Sequence, residues 1–361
     1  MFKLLNIFLI ILIIKITSSL TLSIEETLNK AKTLVEKINL EAKGWDAKLH
    51  KRFALMEDKH LKMLGVKLAK TLAPPPPRNE SKMENKGEGK HIRRKRQTSC
   101  TDTVGFDARN TFQCCAGIIG AIQDQSSCGS CWAVAVSSAF TDRYCISRMK
   151  AGNPPAFNDP TARFSAADML SCATYTSGCN GGDPYNAWLW TYTSGIVTGT
   201  DYTWATGCKP YPFPPHGTTM YTAPACTYSC TTAWNKAYSV DKRFSQMVYF
   251  LQGQGNVAAI QNEIKANGSV VAVFDLYSDF YYYSSGVYSH TPSATYEGGH
   301  AVRVLGWGTQ TCSDGTRRDY WLAANQWNTD WGMQGFFKIL RGTDECRFES
   351  SEISFGTPNI K

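Results

Sequence analysis

The chain has 361 residues, 43% of them hydrophobic, with a formal net charge of +8 and 13 cysteines. Residues 1–96 hold 21 Lys and Arg against 10 Asp and Glu, a net of +11, which leaves 17 against 20, a net of −3, for residues 97–361. The basic excess thus belongs to the amino-terminal part, and a nucleic-acid partner for the remaining body loses its electrostatic basis.

Taken in chain order, Met1 to Ser19 reads as a secretory signal: Lys3 supplies the positive start, Leu4 to Ile14 the apolar run and Thr17-Ser18-Ser19 the small residues suited to cleavage. The run falls short of the roughly 20 apolar residues of a membrane span, and Asn6 and Lys15 interrupt it, so no span is expected. Residues 20–70 carry Leu28, Val35, Ile38, Leu40, Leu61 and Leu64 at helical spacing, which predicts helices. Pro74-Pro75-Pro76-Pro77 ends any helix and begins a stiff linker. Arg93-Arg94-Lys95-Arg96 then offers a basic site for proteolytic processing. The expected division is a signal at 1–19, a propeptide with a Pro-rich and basic linker at 20–96, and a folded domain at 97–361.

All 13 cysteines lie at or after Cys100, a density that behind a secretion signal implies a disulfide-bonded domain. Because the count is odd, at least one thiol stays unpaired within the chain. A helix is predicted from Ser130 to about Phe140, with Trp132, Val136 and Phe140 on one face. Strands are predicted at Ser269–Tyr277, Ala301–Trp307, Tyr320–Ala324 and Phe336–Leu340. Helices first and strands later point to an α+β fold with two lobes. Asn79-Glu-Ser81 and Asn267-Gly-Ser269 are glycosylation sequons.

Two cysteines three positions apart in Gln125-Ser-Ser-Cys-Gly-Ser-Cys-Trp132 could be a redox pair, two metal ligands, or a half-cystine beside a nucleophile. A thiol attacks only as thiolate, which a helix amino terminus and a nearby imidazolium both favour. Cys131 stands where the predicted helix begins. Of six histidines, His50, His60 and His91 fall in the removable part, which leaves His216, His290 and His300. His300 follows two glycines in Glu297-Gly-Gly-His300 at a predicted strand start, and Asn325 ends another strand, where it can orient an imidazole while Trp327 shields the contact.

These three motifs, in this order, resemble the papain-like cysteine proteases. Phe106-Asp-Ala-Arg109, Gly207-Cys-Lys-Pro-Tyr211, Trp327-Asn-Thr-Asp-Trp-Gly332 and Gly335-Phe-Phe-Lys-Ile-Leu-Arg-Gly342 narrow the likeness to the cathepsin B-like subfamily, across nearly all of residues 104–358. The resemblance implies a two-lobed fold, one lobe helical and one β-barrel-like, behind a helical prosegment. It implies peptide-bond hydrolysis through a Cys131 thioester, with His300 as base and acid, Asn325 as its orienting partner, and Gln125 with the Cys131 N–H stabilising the oxyanion. Gly181 and Gly182 would present backbone to substrate. Asp183 and either Ser351 or Glu352 would line the pocket for the second substrate side chain and favour Arg or Lys there, and Trp327 would border the cleft. The implied disulfides are Cys128–Cys179, Cys172–Cys226, Cys208–Cys230, and Cys145 with Cys114 or Cys115. Protein or peptide substrates, the chain's own propeptide and cystatin-like inhibitors are the implied partners, in a lysosomal or extracellular setting. No cofactor and no metal are expected.

The sequence departs from the subfamily in several places. The segment Pro210–Met220, which corresponds to a loop that closes one end of the cathepsin B cleft, is short, carries His216 alone and lacks the staple cysteines, which predicts an open cleft and mainly endopeptidase activity. Ser126 replaces a glycine beside Gln125, and Gln326 a serine beside Asn325. The opposed charges of prosegment and domain predict a prosegment that loosens in acid. Competing readings are a thiol–disulfide oxidoreductase built on Cys128-Gly-Ser-Cys131 and an inactive homologue that acts by binding.

Overall fold

The structure, a computed structural model, describes residues 2–65, 99–251 and 256–360, with side chains from residue 22 onward except Met63. Pro74–Pro77, Asn79 and Arg93–Arg96 lie outside the described residues. Helix α1 (Phe2–Glu41) leads into strand β1 (Trp45–Ala47) and the short helices α2 (Lys51–Ala54) and α3 (Asp58–Met63). Among the described residues no helix is long and apolar enough to cross a membrane.

Among the described residues the folded body has, beside a small third cluster at Val197, Cys208 and Tyr238, two large cores. One gathers the helical lobe around Trp132, Phe140, Phe164 and Trp188. The other, around Phe274, Phe280, Trp321, Trp331 and Phe337, fills the sheet lobe. Helix α4 (Cys131–Lys150) runs through the middle, far longer than the Ser130–Phe140 stretch that its apolar face marks. It is buried on nearly every side from Cys131 to Ile146, so an amphipathic pattern fails as a guide to its length. The buried charges on its second half find partners inside: Asp142 Oδ2 accepts from Arg303 Nη1 and Ser269 Oγ, both at 2.6 Å, while Oδ1 has none, and Arg143 reaches Glu263 at 2.5 Å. Helices α5 (Ala166–Cys172) and α6 (Pro184–Thr193) pack beside it, and α7 (Val257–Asn267) precedes the sheet strands.

The remaining strands are β2 (Cys100–Asp107), β3 (Ser245–Leu251), β4 (Val270–Tyr277), β5 (Tyr283–Tyr288), β6 (Tyr296–Cys312), β7 (Arg317–Ala324), β8 (Phe336–Leu340) and β9 (Glu352–Pro358). Their order is β1-β5-β8-β7-β6-β4-β9-β3, with β2 on β6. Among the described residues the sheet stays open, so the lobe is barrel-like without closing. The sheet's two ends take other partners: β1, from the amino-terminal segment, adds itself to β5, and β3 is covered by helix α6, where Tyr185 meets Phe250 at 4.7 Å. Strand β6 is 17 residues long because its first half pairs with β4 and its second with β7 and β2.

Candidate active site

Cys131 is the first residue of α4, with Ser130 as N-cap. Its own N–H and those of Trp132 and Ala301 favour the thiolate, but burial outweighs them and pushes the thiol up to about 12. The preceding loop is held from behind by Tyr211, whose hydroxyl donates to the Gln125 carbonyl at 2.9 Å and so receives the Ser130 hydroxyl at 2.7 Å. Ser126, where a glycine was the norm, sits at φ +59°, a conformation that costs a residue with a Cβ about 1–2 kcal/mol. Asp124 Oδ1 accepts the Ser126 N–H at 2.7 Å and secures the turn.

His300 is delivered by β6, paired opposite Phe274. Its Nε2 lies 2.9 Å from Asn325 Oδ1. The same oxygen accepts the Gln326 N–H at 2.9 Å, which fixes the orientation of the amide. An amide oxygen only accepts, so Nε2 carries the proton and Nδ1 presents its lone pair. Nδ1 makes no hydrogen bond of ordinary geometry, although the Leu64 carbonyl lies near enough to bear on the ring. Trp327 covers the imidazole, with ring centroids 4.8 Å apart. Gln326, noticed in the sequence only as a departure, braces the same corner: its side-chain amide donates to the Ala301 carbonyl at 2.9 Å and its carbonyl accepts the Gln125 N–H at 2.8 Å. Burial depresses the imidazole to about 4, against the upward pull of Asn325 and of the Leu64 carbonyl.

Leu64 was not among the residues singled out for the site, yet it stands at its centre. Gln125 Nε2 donates to the Leu64 carbonyl at 3.2 Å and to the Cys128 carbonyl at 2.8 Å. The prosegment thus lays a backbone carbonyl on the donor expected to receive an oxyanion. It is fastened along its course. Trp45 Nε1 donates to the Ser289 carbonyl at 2.9 Å, the Tyr281 hydroxyl to the Leu61 carbonyl at 2.9 Å, and Phe53 packs 5.2 Å from Trp327. Arg52 grips Asp124 through both Nη atoms, at 3.0 and 3.2 Å. Both side chains are less than a tenth exposed, so removing one partner strands a buried charge.

The other expected residues fall as follows. Gly182 packs so tightly that a Cβ would lie 2.6 Å from the Trp132 ring, and Gly181 has φ +112°. Asp183 caps α6 by accepting the Asn186 N–H at 2.8 Å. Ser351 is buried in the turn before β9, with its N–H on the Arg347 carbonyl. Glu352 is the one that faces Asp183: burial first, and that carboxylate second, raise it to about 8. His216 takes φ +57°, donates its N–H to Asp124 at 3.0 Å and meets Asn328 Nδ2 at 3.1 Å. The disulfides are Cys128–Cys179, Cys172–Cys226, Cys208–Cys230, Cys115–Cys145 and Cys100–Cys312. Cys114, Cys131 and Cys346 stay free.

Comparison with known proteins agrees with this geometry. The description "Papain family cysteine protease" matches residues 103–355. Cathepsin B-like cysteine proteinase 6 of Caenorhabditis elegans is 37% identical over 345 residues, covering 91% of this chain and 83% of its own. Cathepsin B-like cysteine proteinase 4 of the same organism is 43% identical over 269 residues, 71% of this chain and 75% of its own. Among solved structures, procathepsin B S9 from Trypanosoma congolense aligns with a TM-score of 0.68 at 32% identity, over 91% of this chain and 98% of that one. The chain belongs to the papain family of cysteine proteases, among its cathepsin B-like members.

Proposed function

We propose that Cys131, His300, Asn325 and Gln125 carry out peptide-bond hydrolysis once residues 20–96 have been removed. The observation that carries this reading is the His300 tautomer: the Nε2–H is committed to Asn325, so the basic nitrogen left over is Nδ1. With the prosegment gone, water reaches the site and the burial that holds both groups neutral is relieved. Nδ1 takes the Cys131 proton, and the thiolate attacks the scissile carbonyl carbon. The Gln125 amide and the Cys131 N–H stabilise the oxyanion in place of the Leu64 carbonyl. Protonated Nδ1 then gives its proton to the leaving amine, and water hydrolyses the thioester. Cys128 is committed to Cys179, so Cys128-Gly-Ser-Cys131 does not act as a dithiol pair, and every part of the catalytic set is present, which speaks against an inactive homologue.

Residues 1–19 act in this reading as a signal that sends the zymogen to a lysosomal or extracellular destination, and the basic run Arg93–Arg96 is the maturation site. His300 has its pKa depressed in the closed zymogen, from about 6.5 to about 4. The open state therefore binds more protons in that window, and the closed state loses stability as pH falls from 6.5 towards 4. A thiol-reactive epoxide should leave Cys131 of the purified zymogen unlabelled at pH 7, label it as the pH drops towards 4, and label the mature protein readily but not its Cys131→Ala variant. Labelling mapped to Cys131 in the zymogen at pH 7, or a mature protein that resists the reagent, would sink this reading.

The cleft selects in two further ways. The Pro210–Met220 segment brings one histidine, and Asp124, Asp330 and Asn328 already surround it, so it is poorly placed to hold a substrate carboxyl terminus, and cleavage is mainly internal. Asp183 and Glu352 share a site, and a substrate guanidinium there would stabilise the ionised form of Glu352, favouring Arg. A peptide library cut mainly at internal bonds, with Arg preferred over Phe at the second position, is the expected result. Dominant release of carboxyl-terminal dipeptides would refute the first point, and equal cleavage of paired Arg and Phe substrates the second.

A further inference from the structure

On the sheet lobe, outside the catalytic set, a second group of reactive side chains converges. His290 follows β5, while Glu345 and Cys346 lie in the 3₁₀ turn Glu345–Arg347 ahead of β9. His290 Nδ1 is 2.5 Å from Glu345 Oε1 and 3.8 Å from the Cys346 sulfur, which is itself 3.4 Å from that oxygen. We propose that His290, Glu345 and Cys346 form a three-ligand site for a divalent thiophilic metal ion of the zinc type.

The spacing fits. Tetrahedral zinc, with bonds of about 2.0–2.3 Å, sets neighbouring donor atoms roughly 3.3–3.6 Å apart. The sulfur contacts of 3.8 and 3.4 Å match that within a few tenths of an ångström. Only the His290–Glu345 hydrogen bond is too close, and it would open by about 1 Å as the ion replaced the shared proton. The donor set of thiolate, imidazole and one carboxylate selects zinc and its neighbours over magnesium or calcium. Charge balances too, since one thiolate and one carboxylate neutralise a dication. Without an ion, burial and then the Glu345 carboxylate keep the Cys346 thiol protonated.

The surroundings prepare the ligands. The Tyr277 ring stacks on His290 at 4.3 Å, 13° from parallel, and the His290 N–H holds Glu345 Oε1 at 3.1 Å. Asp344, Cys346 and Arg347 all have φ of 53–54°, a left-handed backbone that residues with a Cβ rarely adopt. The turn is nevertheless pinned. The Asp344 carboxylate accepts the N–H groups of Glu349 and Ser350 at 3.0 Å each, and Arg347 grips Asp275 at 2.5 and 2.7 Å. Cys346 and Glu345 are buried, but the His290 side chain keeps 22% of its exposure, which leaves an entry path and a fourth position for water.

The test uses the untagged full-length chain carrying Cys114→Ser and Cys131→Ala, in which Cys346 is the one free thiol remaining. Titration with Co²⁺ should give a near-ultraviolet thiolate-to-cobalt charge-transfer band that saturates near one equivalent and is displaced by Zn²⁺. Adding Cys346→Ser should abolish the band, and His290→Ala should weaken binding by about 10- to 100-fold. A band that never develops in the two-substitution chain overturns the proposal whether or not the further variants fold, and so does a band that persists in Cys346→Ser. The catalytic cysteine is absent throughout, so the outcome is separate from the peptidase reading.

Discussion

Replacing His300 by Ala in the mature enzyme is expected to lower kcat by up to about 10⁶-fold, the scale seen when a triad loses its base. The structure gives this histidine no understudy. His216 is engaged with Asp124 and Asn328, and His290 lies with Glu345 on the sheet lobe. A readout beyond turnover is the pH dependence of Cys131 alkylation, which should move up to that of an unassisted thiol, near 8.5. Asn325→Ala keeps the imidazole but frees its tautomer, and should cost less. A His300→Ala enzyme within tenfold of the parent, with an unchanged alkylation profile, would remove the imidazole from the mechanism.

Gln125→Ala is expected to reduce kcat by about 100- to 1000-fold, the usual effect of losing one oxyanion donor, with KM little changed. The Cys128 carbonyl holds the Gln125 amide at 2.8 Å, so it is aimed before substrate arrives and loses little freedom in the transition state. The same amide also receives the Leu64 carbonyl of the prosegment. The substitution should therefore weaken inhibition by an added prosegment peptide as well, by up to about tenfold for one hydrogen bond of 0.5–1.5 kcal/mol. Loss of activity with inhibition unaltered would mean that Leu64 does not occupy the oxyanion position.

The residues proposed for catalysis stood out in the sequence because each sits in a short local pattern: a cysteine at a helix start, a histidine after two glycines, an asparagine at a strand end. What escaped was whatever depends on distant residues meeting. Leu64 looked like one more apolar residue at helical spacing, and its carbonyl matters only because the backbone carries it to Gln125. Strand β1 was read as part of a helical stretch, since three residues of Trp-Asp-Ala become a strand only by pairing with β5. Helix α4 outran its apolar pattern because Asp142 and Arg143 find charged partners in the interior. Cys100 and Cys312, 212 positions apart, offered no sequence cue to their pairing. His290 and Cys346 are likewise brought together only by the sheet.

In the proposed maturation, the distribution of disulfides decides what a single cut releases. No cysteine precedes Cys100, so a single cut anywhere between the prosegment and that residue severs the last covalent tether to it. The fragment then becomes a separate molecule whose hold depends on concentration. Its rebinding to the cleft would then weaken as the protein is diluted. The new amino terminus, by contrast, stays stapled to β6 through Cys312.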